Sequence, residues 1–514
     1  MSDVTQPQNE EKWSEFVGGE NDTAYRVIIF KDMTADDRIF LEKNGLRLEI
    51  IEAIVAKYFA PVRAAYASVF GDDLAWIPTK PDERCVRRLG EAHAVQFAAT
   101  RHGALALPSP FSGDAISTNE SYPFSWHGLL DVFYRFRDKK TFFLVTTGGD
   151  GATRGLYVPS LNLFVCNIPY GSHGWNDPVG LFAGFKTYFI ANASLVERYS
   201  KESASRHTCM LIAHRVIGHY IMHFLPQVGH MLEAGLDPYV SRYLVAPQEF
   251  LPFNRVFPEI DELKILRVNK EEDFGVAVLE QNYFALIPNG FFVTENFAAS
   301  VKRVAAEARP SFGQYLSTFR SSHYPIVWFG IRVNRRLWIE QEDGVPAIVD
   351  RLRERFPSVA VVIDGMTTLD TSFGVFNTRL LESDRSSIEK ENLVVSKLTE
   401  RFPRDVKVVN LVGADIWEKI LWTEIATVFV GAFGSGFVWT GTIGNRPGVY
   451  HGNTYCTLLA RQYIAMRENA APHAFVTTPR VICDDDTSTT VNYSCDWKNI
   501  YKEVEQLIET TRPL

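Results

Sequence analysis

Cysteine is scarce and scattered. Six residues, at positions 85, 166, 209, 456, 483 and 495, form no CxxC pair and no histidine-cysteine cluster. That spacing signals neither a zinc site nor a disulfide framework and fits a reducing compartment. Basic residues are in deficit, 53 against 61 acidic ones for a net charge of −8, and they are dispersed. An electrostatic grip on nucleic acid or an anionic membrane is therefore disfavoured. Long apolar runs are also missing. The one uncharged stretch near membrane-spanning length, Ile425 to Asn445, is broken by five glycines and three threonines and reads as strand, glycine turn and helix start. Met1 to Phe16 is polar and acidic where a secretory signal needs a basic end and an apolar run. The expectation is a soluble, cytoplasmic protein without a transmembrane segment. No GxGxxG, GxxxxGK[ST] or HExxH motif occurs, so NAD-type and P-loop readings lose ground.

What is present is an ordinary folded composition: 514 residues, 46% hydrophobic and 22% charged, enough for two large domains with decorations. Residues 1–20 are expected to be a flexible tail, 21–315 an N-terminal α/β domain, 316–482 a C-terminal Rossmann-like domain, and 483–514 a segment whose helix crosses back onto the N-terminal domain. In the first half, Thr141 to Asn167 reads as a β-hairpin turning at Gly148–Gly151, and residues 205–235 read as helical. The second half alternates regularly. Strands at 325–331, 359–364, 406–412 and 427–430 are separated by helical patterns at 344–356, 391–402 and 416–425, which implies a parallel, doubly wound sheet. Glu354-Arg-Phe-Pro357 and Glu400-Arg-Phe-Pro403 each close a helix just before a strand. The final helix is placed at 497–510.

In an open parallel sheet, ligands bind beyond the carboxyl ends of the strands. After the first C-domain strand stands Arg332-Val-Asn-Arg335-Arg336, whose guanidiniums suit a diphosphate; a solvated basic loop is the plain alternative. After the fourth comes Gly431-Ala-Phe-Gly434-Ser435-Gly436, small enough for backbone N–H groups to approach an anion, though tight packing would also call for glycine. After the second comes Asp364-Gly365, a turn whose carboxylate could hydrogen-bond a base or ribose. In the first half, His219 and His223 are four apart, one helical turn, and are candidates for a general base or a metal pair; His214 and His230 read as packing residues. Asp484-Asp-Asp486 could be a DxD metal motif but reads better as a solvated loop. The only Gx[ST]xG match, Gly151–Gly155, lies in the hairpin rather than at a nucleophile elbow.

The pattern of Ile331-Arg332, Arg335-Arg336, the strand Val361–Ile363 and the turn Gly431–Phe437, preceded by His219-Tyr-Ile-Met-His-Phe-Leu-Pro226, resembles family-61 glycosyltransferases over about residues 205–455. Where that family has a histidine in the glycine turn, this chain has Phe433. The resemblance implies a GT-B fold, two Rossmann-like domains facing a cleft, with the acceptor domain first. It also implies metal-independent transfer of a sugar from a nucleotide sugar, UDP-sugar favoured, to an acceptor hydroxyl with inversion, and no cofactor. Arg332, Arg335, Arg336, Asp364, Gly365, Gly434, Ser435 and Gly436 would bind the donor; His219, then His223, would be the base. A nucleotide-sugar epimerase or hydrolase, or a non-catalytic binding partner, stays open as the alternative.

Overall fold

Regular alternation of buried strands and amphipathic helices is what a doubly wound sheet requires, and a computed structural model of the chain contains one. It describes residues 25–55, 59–72, 95–126, 129–147, 153–166, 178–202, 206–213, 217–247, 249–290, 292–368, 378–434, 436–478 and 491–511. The expected N-terminal tail, His214, Ser435 and Asp484–Asp486 lie outside them. Two units divide the chain: Met1–Pro247 with Glu259–Gly290, and Gln248–Pro258 with Phe291–Leu514.

In the first unit, β1 (Arg26–Ile29) is followed by the antiparallel pair β2 (Leu105–Pro108) and β3 (Ala115–Thr118). A meander comes next: β4 (Ser121–Trp126), β5 (Leu129–Arg137), β6 (Thr141–Thr147), β7 (Thr153–Val158) and β8 (Leu163–Cys166). Together these make a six-stranded sheet in the order β1-β8-β7-β6-β5-β4. The expected hairpin is β6 with β7, Leu144 opposite Leu156; its turn, Gly148–Gly151, is outside the described residues. Alternation gives this sheet an aromatic face of Tyr122, Phe133, Phe143, Tyr157 and Phe164, buried against Phe182, Phe185 and Phe189 of the helix Pro178–Ala191. Phe133 stacks on Phe185 with centroids 3.7 Å apart, and Tyr157 on Phe182 at 4.1 Å.

The same unit holds a parallel sheet of β9 (His207–Ile212), β10 (Val240–Val245), β11 (Ile265–Arg267) and β12 (Tyr283–Leu286), in the order β11-β10-β9-β12. Strand β9 corrects the helical expectation for residues 205–235. Its run Thr208–Ile212 is buried throughout, and a continuous apolar strand lacks the alternation that separates it from a buried helix. Helix follows only from Ile217, and Tyr220–Phe224 within it is a π-helical turn.

The second unit is built on β13 (Ile326–Gly330), β14 (Ala360–Asp364), β15 (Lys407–Asn410), β16 (Val428–Gly431), β17 (Gly448–Gly452) and β18 (His473–Thr477). All pair in parallel, in the order β15-β14-β13-β16-β17-β18. This is the Rossmann order, and its direction reverses between β13 and β16. Phe356 and Phe402, from the two repeated ERFP segments, end their helices and enter one core with Val327, Val361 and Val430. Strands β17 and β18 and the helix Thr454–Ala465 between them complete the sheet beyond the four strands legible in the sequence.

Two expected boundaries shift. The second unit takes in Gln248–Pro258 and runs on from Phe291 rather than 316, with Val293 and Glu468 tying the helix Glu295–Ala308 to the Met466 region (Val293 N to Met466 O, 2.9 Å; Glu468 N to Val293 O, 3.0 Å). The rings of Phe312, Tyr315 and Phe319 also close on Trp422 of that unit. The helix Trp497–Thr510 forms where expected. Its apolar stripe of Ile500, Val504, Leu507 and Ile508 is buried in the core of the second unit. Among the described residues no single helix is long and apolar enough to cross a membrane.

Candidate functional site

Strands β13 and β16 send the Arg332–Arg336 loop and the Gly431–Gly436 turn into the point where the sheet reverses, and there the two meet. A Cβ built on Gly434 would come inside the 3.0 Å that real Cβ atoms essentially never breach, against both Nη2 of Arg332 and Nη1 of Arg336. Glycine is required here for close approach: the guanidiniums lie over its Cα. Arg336 donates from Nη1 to the Phe433 carbonyl at 2.7 Å, and its guanidinium is 5.9 Å from the Phe433 ring. Its own backbone adopts φ +57°, a left-handed conformation that few non-glycine residues take and that carries a cost where it occurs. Burial, then the neighbouring Arg332, pushes its pKa down to about 10, so it remains cationic at neutral pH.

Two like charges are thus held together, and among the described residues neither Arg332 nor Arg336 forms an ion pair within 4.0 Å. Arg335, the third guanidinium of the loop, is exposed. Arg332 is positioned through its backbone: Gln341 accepts from its N–H at 3.3 Å and donates to its carbonyl at 2.8 Å, extending the β13 ladder by one side chain. A pocket lies beside the arginines, lined by Gly330 and Ile331 from the end of β13, Val430 and Ala432 from β16, His451 from β17, and Trp338, Gln341 and Tyr493.

Asp364 and Gly365 have different surroundings from those expected of base or ribose contacts. Asp364 is 1% exposed and pairs through Oδ1 with Lys419 Nζ at 2.7 Å. Lys419, 0% exposed, also donates to the carbonyls of Gly365 and Met366 at 3.0 Å each and to Thr367 Oγ1 at 3.1 Å, pinning the loop after β14. Burial raises the Asp364 pKa and Lys419 opposes the shift. Glu391, which accepts from the Met366 N–H, is likewise raised by burial. A Cβ on Gly365 would strike Glu391, so this glycine serves packing. Sequence reasoning missed Lys419; the available signal was a lysine in Ile416–Thr423, a helix whose neighbours Trp417, Ile420 and Leu421 are all apolar.

The glycine turn continues into a π-helical segment, Val438–Ile443, rather than a regular α-helix. A π-helical start does not offer the aligned dipole of a regular α-helix, so the charge that faces the turn comes from the guanidiniums. A Cβ on Gly436 would rest in ordinary contact with Asp364 Oδ2 at 3.8 Å and Arg332 Nη2 at 3.9 Å.

In the first unit, His219 and His223 do share a face, their rings 4.7 Å apart and edge-on. His223 is 1% exposed within the π-helical turn and its carbonyl accepts from Gly290 N at 3.0 Å; His219 is partly exposed. His230 packs edge-on to Phe97, as a core histidine does. Among the described residues no three His, Cys, Asp or Glu side chains cluster as a metal site.

The fold and site define, in the second unit, a doubly wound α/β protein with two guanidiniums converging at its topological switch point, where Arg332 also acts on the buried Asp364 and Glu391 carboxyls. No protein-family model matches the sequence and no curated protein matches it. Among solved structures, the chain is similar to UDP-GlcNAc 2-epimerase of Methanocaldococcus jannaschii, solved with UDP-GlcNAc and UDP, at 12% identity and TM-score 0.25 over 59% of this chain and 77% of that one. It is also similar to α,α-trehalose 6-phosphate synthase of Burkholderia multivorans, at 10% identity and TM-score 0.26 over 64% and 68%.

Proposed function

We propose that this protein is a glycosyltransferase that moves a sugar from a nucleotide-sugar donor, a UDP-sugar first, to an acceptor hydroxyl with inversion and without a catalytic metal. The observation that carries the reading is the convergence of Arg332 and Arg336 on Gly434 at the switch point, without an ion-pair partner among the described residues. Such a pair matches a diphosphate, whose negative charge grows as the glycosidic bond breaks, and preorganised cations there stabilise the transition state more than the ground state. Arg332 and Arg336 would hold the leaving diphosphate, with the amides around Gly434 and Gly436 and the Ser435 hydroxyl adding hydrogen bonds. Arg335 would guide the anion from the exposed rim. Asp364 and Gly365 act in this reading by fixing the loop beside the site rather than by touching the donor. In the N-terminal unit His219, the more exposed of the pair, would take the proton of the attacking hydroxyl, and the buried His223 would support it.

The test is calorimetric titration of UDP into the wild type and into Arg332→Glu and Arg336→Glu, followed by donor-consumption assays with and without candidate acceptors. Binding is expected in the wild type and lost in both variants. Unchanged affinity in both, with the fold intact, removes the diphosphate assignment. Donor consumption without any acceptor would indicate epimerisation or hydrolysis in place of transfer.

A further inference from the structure

His451 is a buried histidine that the reading above leaves without a role. It lies on β17, 4% exposed, and lines the same pocket as Arg332 and Arg336. Its Nδ1 is 2.8 Å from the hydroxyl of Tyr493, and its ring stands edge-on to Trp338 with centroids 5.1 Å apart. The Tyr493 hydroxyl has no other acceptor among the described residues, so its proton goes to Nδ1. The imidazole's own hydrogen must then sit on Nε2, and burial keeps the ring neutral by pushing its pKa down to about 3. No partner for Nε2 occurs among the described residues.

The other polar groups lining the pocket are committed. Both ends of the Gln341 amide serve the Arg332 backbone, and Trp338 Nε1 donates to the Cys495 carbonyl at 2.9 Å. What the pocket keeps for a ligand is therefore two guanidiniums and one imidazole N–H, beside the lone pairs of the Tyr493 hydroxyl. A set in which charged and N–H donors predominate fits an anionic oxygen.

We propose that His451 is a further ligand-binding residue of the diphosphate site, its Nε2–H donating to a phosphoryl oxygen held by Arg332 and Arg336, with Tyr493 as the positioning residue that fixes the tautomer. The proposal rests on the diphosphate reading. Tyr493 is brought to β17 by backbone pairing of its own segment with the arginine loop: Tyr493 N donates to Leu337 O at 3.0 Å and Ile339 N to Tyr493 O at 3.1 Å. The end of the chain thus completes a site that starts at Arg332.

The experiment uses the full chain labelled with ¹⁵N-histidine and UDP as the probe. Long-range ¹H–¹⁵N spectra identify the His451 tautomer directly, and calorimetry measures UDP affinity in wild type, His451→Leu, His451→Gln and Tyr493→Phe. Expected are an Nε2–H tautomer whose resonance moves on addition of UDP and affinity about ten-fold weaker or more in His451→Leu, the loss of a hydrogen bond to a charged group. His451→Gln, which keeps an N–H near the Nε2 position, should retain most of the affinity. In Tyr493→Phe the tautomer signal should shift toward Nδ1–H and binding should weaken by less than in His451→Leu. If the wild type binds UDP through Arg332 but the His451 signal is an Nδ1–H tautomer or does not respond, and His451→Leu binds normally, the role of His451 is overturned while the diphosphate reading stands. Absence of UDP binding in the wild type overturns both. Should His451→Leu fail to fold, the wild-type spectrum and Tyr493→Phe still decide the question.

Discussion

Replacing Gly434 by alanine puts the smallest possible side chain where the two guanidiniums converge. Its Cβ would lie inside 3.0 Å of Arg332 Nη2 and Arg336 Nη1, with Arg332 Cζ at 3.3 Å, whereas ordinary contact begins near 3.4 Å. Both ends must retreat. The clashing atoms are the ends of flexible side chains and can move, but Gly434 also holds φ +157°, which alanine rarely adopts, so the variant carries backbone strain besides. A retreat of about 1 Å takes an N–H from the roughly 2.8 Å of a charge-assisted hydrogen bond to beyond bonding range. Losing one such phosphate contact costs on the order of 1.5–3 kcal/mol, which is about ten- to 150-fold in Kd, and losing both costs more. The Arg336 bond to the Phe433 carbonyl goes with it. UDP affinity by calorimetry, read well below the lowered melting temperature that the backbone strain brings, should therefore fall at least about ten-fold. A Kd within two-fold of wild type would refute the placement of the anion between these arginines.

Lys419→Met should destabilise the fold by about 3–5 kcal/mol in urea denaturation, because it leaves the Asp364 carboxylate buried without its cation, and Lys419→Met with Asp364→Asn should recover part of the loss; a loss under about 1 kcal/mol refutes the buried pair. His451 makes stability depend on pH: its folded pKa lies below the unfolded value near 6.5, so the unfolded chain binds the extra proton and stability falls as pH drops from about 6.5 toward 3, by about 1.4 kcal/mol per pH unit. A His451→Gln variant should show that much less slope in denaturation between pH 6.5 and 4, and an unchanged slope counts against the neutral imidazole. His219→Ala should cut turnover about 10²- to 10⁴-fold with UDP affinity near wild type, His223→Ala less so; retained turnover in the double variant sends the search for the base to a carboxylate such as Glu233 or Asp237. Chelation should leave UDP binding unchanged, since the proposed grip uses guanidiniums, and a strict magnesium or manganese requirement lost in Asp484→Ala would revive a metal role for that segment.

The sequence by itself determined the periodic part of this protein. Four strands and the helices between them were legible from β13 to β16 because β13, β14 and β16 are short buried apolar runs bounded by polar turns and the half-exposed edge strand β15 carries a Val-Val pair, and the final helix because Ile500, Val504, Leu507 and Ile508 repeat at helical spacing. The arginine loop and the glycine turn stood out as candidates because they follow strands, although a solvated loop and tight packing would use the same residues. Strand β9 was not, because burial on both faces erases alternation. Tertiary structure alone decided which of these pieces meet. Nothing local in Arg332, Arg336 and Gly434 says that a strand order reversing between β13 and β16 brings them into contact. Nor does anything local place Lys419 on Asp364, 55 residues away along the chain, or Tyr493 on His451, a separation of 42. Periodicity is a property of neighbours along the chain, whereas a binding site is a property of strand ends, and their adjacency is set by sheet order that no short stretch of sequence encodes.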